Sequence, residues 1–291
     1  MLVEEDLELE EQLRFLNKPA VTTIQTKSGD TYNCVNYYEQ PAFDHPALKN
    51  EKYKYQMRLS NNKGKKEKNT IWLNGYGCPV GTVPIKPITK DDLIRAKSAS
   101  NMYDSKVRPQ DESYPGLHTQ RGSCYNTLCP APAFILETSE IPLDYAFPQI
   151  SQRGGDIYST GFFVYKDKAN GDWYLQVGTK GVGIGRWPQK MFGALADSAS
   201  YIEWGGQVIT PPNVPSPEMG SGHQLPLSLD ERYDAVCNQI RLIDENNNEV
   251  NPEDTETLRD IVTVYDVVDL GRRGQEGRVI VYGGNGGYTG N

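Results

Sequence analysis

The sequence has little positive charge, and this limits the partners it can bind. Lysine and arginine number 30 against 38 aspartates and glutamates, giving a formal net charge of -8 and a pI near 5.1. Binding to duplex nucleic acid needs a basic surface that neutralises phosphates. The basic run at residues 63–68 is interrupted by Gly64 and Glu67, which is typical of a solvated loop. Composition therefore argues against a nucleic-acid partner.

Long hydrophobic runs are also missing. No stretch approaches the roughly 20 apolar residues that a membrane-spanning helix needs, so we expect no membrane span. The first six residues, MLVEED, are acidic and lead into an amphipathic segment. A secretory signal would instead carry a basic start and an apolar core, so nothing at this N-terminus predicts export.

Cysteine and histidine are scarce. Five cysteines are an odd number, so at least one is expected to be unpaired or to pair with another chain. Cys124 and Cys129 are close enough in sequence to close a small loop, and they lack the second CxxC or nearby histidine of a zinc site. A disulfide in an oxidising compartment is the favoured interpretation, in tension with the absent export signal. We predict no metal site.

A glycine-rich string, residues 178–185, follows a predicted strand and superficially resembles a dinucleotide-binding loop. Such a loop must open a helix within a βαβ unit, so that helix-terminal amides meet the pyrophosphate. This string instead runs into Arg186-Trp187-Pro188 with no parallel-sheet pattern around it. It predicts a tight turn or bulge, and we expect no cofactor.

The pattern of apolar residues predicts a mainly β protein preceded by a small α+β unit. Leu9, Leu13 and Leu16 indicate a helix over 3–18, and β-prone runs at 21–25 and 31–37 flank a turn. Later strands are predicted at 71–73, 134–136, 157–165, 173–177, 201–209, 235–243 and 279–282, with a short helix at 189–199. Their spacing favours an antiparallel β-sandwich, after a polar linker at about 97–118.

Candidate catalytic groups are few. Ser221 and His223 are two residues apart, but no order of Asp and His supports a serine-hydrolase triad. The acidic groups Glu137, Glu140 and Asp144 form a cluster typical of solvated loops. Four aromatic side chains could line a groove for an extended or proline-rich ligand, or could pack in the core: Trp173, Tyr174, Trp187 and Trp204.

Several motifs, in order, resemble the neprosin family, plant glutamic endopeptidases that cleave beside proline. They include GRWP at 185–188, WGGQV at 204–208, EMGSGH at 218–223 and GSCYNTLCP at 122–130. Segments at 5–16, 40–50 and 77–85 resemble the family's activation peptide. The resemblance implies an activation-peptide-like domain at 1–96, a linker at 97–121 and a shortened catalytic-like β-sandwich at 122–291.

The chain departs from the family at both catalytic positions. The family's first catalytic glutamate lies in a stretch that is missing where Arg121 meets Gly122, and the second corresponds to Gln207. Glutamine cannot cycle between acid and carboxylate, so general acid-base catalysis is lost there while hydrogen bonding survives. The missing stretch fits either a degenerate peptidase or a splice or gene-model loss.

The resemblance also implies disulfide pairs. Cys34 would pair with Cys78, and Cys124 with Cys129. The family usually has Cys-Tyr-Asp where this chain has Val264-Tyr265-Asp266, which would leave Cys237 without its partner.

Two functional hypotheses follow. The first is a neprosin-like endopeptidase, weak or inactive, whose substrate would be a proline-containing peptide. The second is a non-catalytic module that binds such peptides through Trp187, Trp204, Glu218 and His223. By resemblance the protein would be secreted; nothing in the sequence sets its oligomeric state.

Overall fold

The computed structural model describes residues 2–26, 28–49, 77–96, 133–208, 210, 213–224, 230–259 and 261–288. Helix α1 spans Leu2–Leu16, and a second helix, α2, covers 90–96. The strands are β1 Ala20–Gln25, β2 Thr31–Asn36, β3 Thr82–Ile85, β4 Ile135–Leu136, β5 Phe162–Lys166, β6 Trp173–Val177, β7 Val182–Trp187, β8 Met219–Gly220, β9 Ala235–Ile240, β10 Leu242–Ile243, β11 Glu249–Val250, β12 Asp266–Arg272 and β13 Arg278–Gly284. All their pairings are antiparallel, which confirms the predicted mainly β class.

The described part of the chain divides into two compact units. Unit 1 comprises 1–149 and 160–200, and unit 2 comprises 150–159 and 201–291. No helix among the described residues is long and apolar enough to cross a membrane. The predicted linker, the strand at 71–73, Cys124 and Cys129 lie outside the described residues, and the domain boundaries at 96 and 122 stay predictions.

Helix α1 packs along its leucine stripe, as its sequence predicts. Leu16 is fully buried with Ile88 and Leu93, and Leu9 and Leu13 pack against this cluster. Just past the helix, Pro19 cannot continue the helical hydrogen-bonding pattern. Asn17 secures this end: its side-chain amide donates to the Ile88 carbonyl at 2.8 Å and accepts from the Ile88 N–H at 2.8 Å.

The predicted hairpin is present and is extended by a third strand. β1, β2 and β3 form a sheet in that order, with Cys34 on β2 opposite Pro84 on β3. Pro84 lacks an N–H, and β3 lies at the sheet edge, where a missing donor is tolerated. A disulfide joins Cys34 to Cys78, which confirms the pairing implied by the resemblance.

The second sheet of unit 1 shares its core with the N-terminal segment. Its order is β4-β7-β6-β5. The buried cluster combines residues from both parts of the sequence: Tyr37, Ala42, Leu48, Val83, Phe134, Ile135, Leu136, Ile141 and Ile184. The activation-peptide-like segment is thus a structural component of unit 1.

Gln40 makes this connection explicit at the free edge of β4. Its side chain is 2% exposed. The amide nitrogen donates to the carbonyls of Tyr37 at 3.0 Å and Leu136 at 3.2 Å, and the amide oxygen accepts from the Leu136 N–H at 2.8 Å. One side chain therefore supplies the backbone of Leu136 with the partners that a neighbouring strand would give.

The main sheet of unit 2 is centred on β13. β12 pairs with one edge of β13, while β9 and β8 pair with the other, and β10 and β11 form a separate hairpin. Ile280 lies opposite Cys237 on one side and Asp269 on the other. Cys237 forms no disulfide with any described residue, which agrees with the expectation that it is unpaired. That its family partner would stand at position 264 stays a prediction.

Two local predictions need correction. Residues 201–208 form no strand, because consecutive glycines interrupt the run and Gly205 has φ +153°. The predicted helix at 189–199 is instead two short 3-10 turns, Gln189–Met191 and Ala194–Ala196, separated by extended Phe192. The predicted turn or bulge at 178–185 is confirmed: a turn precedes β7, and the pairing of β7 with β6 shifts register between Gly183 and Gly185.

Candidate functional site

Gln207 lies on the surface of unit 2, directly after a glycine that allows close packing. Gln207 is exposed. A Cβ at Gly206 would lie 2.6 Å from Sδ of Met219 and 3.4 Å from Cε2 of Tyr282. Only glycine permits this approach, so the backbone beside Gln207 is packed against both side chains. The structure thereby brings the WGGQV segment next to the EMGSGH segment.

Residues 218–223, which we call the β8 turn, are held by the end of β13. Gly220 pairs with Gly283, and Met219 with Gly284. Gly220 has φ +58°, and a Cβ there would lie 2.5 Å from the Tyr282 carbonyl oxygen. Glycine is required twice over, by the positive φ and by the close approach. The turn is closed by the Gly222 N–H, which donates to the Met219 carbonyl at 3.0 Å.

Glu218 and His223 begin and end the β8 turn, and both are exposed. A Cβ at Gly222 would lie 2.8 Å from Oε2 of Glu218, so this carboxylate lies against the turn. The Ser221 hydroxyl donates to the backbone carbonyl of His223 at 3.4 Å. That hydroxyl is directed to the main chain, which agrees with the sequence argument against a serine nucleophile.

Cys237 and Tyr282 form a close pair that local sequence patterns did not indicate. They lie on neighbouring strands β9 and β13. Burial raises the pKa of the Cys237 thiol, and burial together with Cys237 raises the pKa of Tyr282. Both groups are neutral at physiological pH, so neither is an activated nucleophile. The alternation of the two strands could have suggested that they face one another, but it does not supply their register.

The tryptophans proposed for a groove belong to different units. Trp204 is half-buried in unit 2. Trp187 ends β7 in unit 1 and packs against the core, edge-to-face with Phe134 at a centroid distance of 4.5 Å. Trp173 donates its indole N–H to the Leu195 carbonyl at 2.8 Å. The packing of Trp187 and Trp173 is that of structural aromatic side chains.

The arginine of the GRWP motif is the centre of a buried ionic network in unit 1. Arg186 lies 3.1 Å from carboxylate oxygens of both Glu137 and Asp172, and its Nη1 donates to the Tyr174 hydroxyl at 3.2 Å. We call these four residues the Arg186 cluster. Glu137 is 9% exposed, so its assignment to a solvated loop is wrong. The sequence lacked a local signal for this burial because the partners are 12 to 49 positions from Arg186.

Tyr37 extends the cluster into the N-terminal segment. Its hydroxyl lies close to Arg186, and burial together with Glu137 raises the pKa of that hydroxyl. Burial alone would lower the pKa of Arg186, but Glu137, Tyr174 and Asp172 raise it overall. Arg186 is therefore charged at neutral pH, and its pairing with two buried carboxyl side chains is that of a structural ion network.

Among the described residues, no group of three or more His, Cys, Asp or Glu side chains is arranged to hold a metal ion. In and beside the β8 turn, the exposed polar side chains include the Glu218 carboxylate, the His223 imidazole and the Gln207 amide. Gln207 can donate and accept hydrogen bonds but cannot transfer a proton at any accessible pH.

Comparison with known protein families agrees with these motifs. Residues 23–127 match the neprosin activation peptide, and residues 112–285 match the family described as neprosin. The second match alone spans more than half of the 291 residues and contains both the Arg186 cluster and the β8 turn. The chain therefore belongs to the neprosin family.

Proposed function

We propose that this protein is a neprosin-type peptidase whose hydrolytic activity is weak or lost. The observation that carries the proposal is Gln207, an exposed amide beside Met219 and Tyr282, at the position that resembles the family's second catalytic glutamate. Hydrolysis by two carboxyl groups needs one that donates a proton and one that accepts it. An amide performs neither step.

The packing of the N-terminal segment supports the same proposal. Release of an activation peptide would remove Tyr37, Ala42, Leu48 and Val83 from the core that they share with β4 and β7. It would also leave the Leu136 N–H and carbonyl without the Gln40 amide. Both losses oppose dissociation of the segment.

The test is cleavage of a proline-containing peptide at acid pH, followed by mass spectrometry. We expect no cleavage by the folded protein. Gln207→Glu restores a carboxyl at one position only, so we expect it to remain inactive as well. Gln275→Glu, on an exposed turn of the same unit, controls for added charge. Rapid, complete cleavage by the unmodified chain would contradict the proposal, and a gain confined to Gln207→Glu would mean that a partner carboxyl exists.

A second candidate function is binding of extended, proline-containing peptides without hydrolysis. The observation that favours it is the exposure of apolar side chains beside Trp204: Tyr201 is 42% and Ile202 is 49% exposed. Aromatic surfaces of this type suit the preformed extended conformation of proline-rich segments. Glu218 and His223 would supply polar contacts to the peptide backbone.

Calorimetric titration with an uncleaved proline-containing peptide tests this candidate. Trp204→Ala is expected to weaken binding, whereas Val250→Ala, on the separate β10–β11 hairpin of unit 2, is expected to leave it unchanged. Equal binding by both variants would remove Trp204 from the interaction. The absence of binding heat at every peptide concentration would exclude the peptide-binding function.

A further inference from the structure

The outer edge of β5 carries exposed apolar side chains. β5 is the last strand in the order β4-β7-β6-β5. Its first three side chains are all exposed: Phe162 by 66%, Phe163 by 37% and Val164 by 50%. An exposed edge strand that is apolar on both faces is a template for pairing with another strand.

The hydrogen bonds at the two ends of β5 show which backbone groups face outward. The Gly178 N–H donates to the Gly161 carbonyl, and the Asp167 N–H donates to the Asp172 carbonyl. Because antiparallel pairing alternates, odd-numbered residues from 161 to 167 direct their backbone groups to β6. The N–H and carbonyl groups of Phe162, Val164 and Lys166 therefore point away from the sheet.

The features that normally protect a sheet edge are missing from β5. Its pairing with β6 runs without a register shift, whereas the other exposed edge, β1, has a bulge between Ala20 and Thr22. Lys166 could discourage pairing, but its ammonium group donates to the Asp197 carbonyl at 2.8 Å. A regular edge remains, apolar from Phe162 to Val164 and with its one charged side chain, Lys166, tied to a neighbouring carbonyl.

We propose that β5 pairs with β5 of a second copy of this chain, antiparallel about a two-fold axis at Val164, to form a continuous eight-stranded sheet. In that register Val164 faces Val164 and Phe163 faces Tyr165 of the second copy. Lys166 faces Phe162, so no two like charges are opposite. Such aliphatic and aromatic cross-strand pairs stabilise antiparallel sheets.

Both faces of the paired sheet gain apolar contacts in this register. On one face, Phe162 and Val164 lie opposite Val177 and Leu175 of β6, which themselves pack against the core of unit 1. On the other face, Phe163 stacks on Tyr165 at 5.2 Å, and Tyr165 stacks on Tyr174 at 5.5 Å. The two-fold pairing extends this aromatic stack across the dimer.

A proline-rich peptide fits this edge less well than a second copy does. Proline has no N–H, so it cannot donate to the outward carbonyls of Phe162 and Val164. A second β5 offers a donor and an acceptor at each of these positions. The occupant inferred here is thus distinct from the peptide considered for unit 2.

The oligomeric state of the full 291-residue chain tests the pairing. We expect sedimentation equilibrium to show a dimer that dissociates on dilution. Val164→Lys and Val164→Glu each place like charges opposite one another across the axis and should raise the dissociation constant by about tenfold or more. An equimolar mixture of the two variants should restore the dimer, because lysine then faces glutamate. Val21→Lys, on the bulged edge β1, should have no effect.

Crosslinking gives an independent measurement of the register. In a hydrogen-bonded antiparallel pair the Cα atoms are about 5.5 Å apart, within the span of a disulfide. Val164→Cys should therefore form a 164–164 crosslink on mild oxidation, identified by peptide mapping. A monomer at all concentrations would overturn the proposal, as would a dimer that survives Val164→Lys or crosslinks only through Cys237. Protection of β5 amides from exchange only when a peptide is added would assign the edge to that peptide instead.

Discussion

Two of the motifs that make this sequence recognisable have opposite environments. Arg186, in GRWP, is buried with two carboxylates inside unit 1. Gln207, in WGGQV, is exposed on unit 2 beside a turn whose glycines allow close backbone packing. The comparison teaches that a motif can be retained because it specifies a fold. The Arg186 cluster is constrained by stability, whereas the β8 turn presents polar groups that packing alone does not require.

The largest expected effect is on the Arg186 cluster. Arg186→Met should destabilise the protein by about 3–5 kcal/mol, because Glu137 and Asp172 would be left buried without their cation. Urea unfolding measures the loss. Arg232→Met, at an exposed pair with Asp230, is the matched control and should unfold at an unchanged urea concentration. Equal effects from the two variants would mean that the buried network has no special role.

The next effect concerns Gln40, which joins the N-terminal segment to β4. Gln40→Ala should cost about 1–3 kcal/mol for each backbone group of Leu136 that loses its partner. Gln40→Glu keeps an acceptor for the Leu136 N–H but faces two carbonyl oxygens with a buried carboxyl group, so we expect it to be the more destabilising variant at neutral pH. Thermal unfolding of the three proteins gives the comparison. Stability unchanged in both variants would show that water replaces the amide.

A similar or smaller loss of stability is expected when a glycine of the β8 turn is replaced by alanine. Gly220→Ala meets both a positive φ and the Tyr282 carbonyl, whereas Gly271→Ala meets a similar φ of +67° in open space. We expect about 1 kcal/mol for the strain at Gly271 and about 1–3 kcal/mol at Gly220. Denaturant midpoints measure the difference. A milder effect at Gly220 would mean that the turn moves away from β13 at little cost.

The smallest expected effects are on the pH dependence of stability. They have opposite signs in the two units, because one carboxyl group has a raised pKa and the other a lowered one. Although Asp144 in unit 1 is exposed, its surroundings partly desolvate the carboxyl group and raise its pKa above the usual 3.8, so its small contribution to stability falls as pH rises from 3.8 to that raised value. In unit 2 burial opposes ionisation of Asp269, but Arg278, Thr255 and the Gly271 N–H lower its pKa overall. Its contribution is present above pH 3.8 and is lost as pH falls through the lowered value.

Single substitutions separate these two contributions. Asp144→Asn should flatten the loss of stability above pH 3.8, and Asp269→Asn should flatten the loss below it. Unfolding free energies measured from pH 2.5 to 6 give both slopes. Identical pH profiles for the two variants would contradict the assignment.

Local sequence patterns predicted those strands and turns whose ends are set by neighbouring residues. β6 occupies the predicted residues, 173–177, because its aromatic and aliphatic run is bounded by turn residues. The first hairpin was predictable for the same reason. The run at 201–209 has strand-forming side chains, but the glycine pair at 205–206 packs against Met219 instead of continuing a strand. Composition alone could not show whether strand formation or the packing of the glycine pair would prevail.

The candidate site was predictable only in its motifs. Gln207 and the β8 turn were identified by resemblance, and the structure adds the contact between them through Gly206. The burial of Glu137 depends on Arg186, and the pairing of Gln40 depends on Leu136, 96 residues away. Such contacts have no local signature, since each residue alone is of a type normally found at the surface.

The amide of Gln40 has a consequence for what proteolysis can do to this protein. A segment that contributes buried side chains and completes a strand edge behaves as a subunit that happens to be covalently attached. A cut between residues 96 and 133 would therefore yield a two-chain protein whose fragments stay together, migrating as one species in native electrophoresis and as two after denaturation. Maturation of such a molecule would change its connectivity without changing its mass in solution.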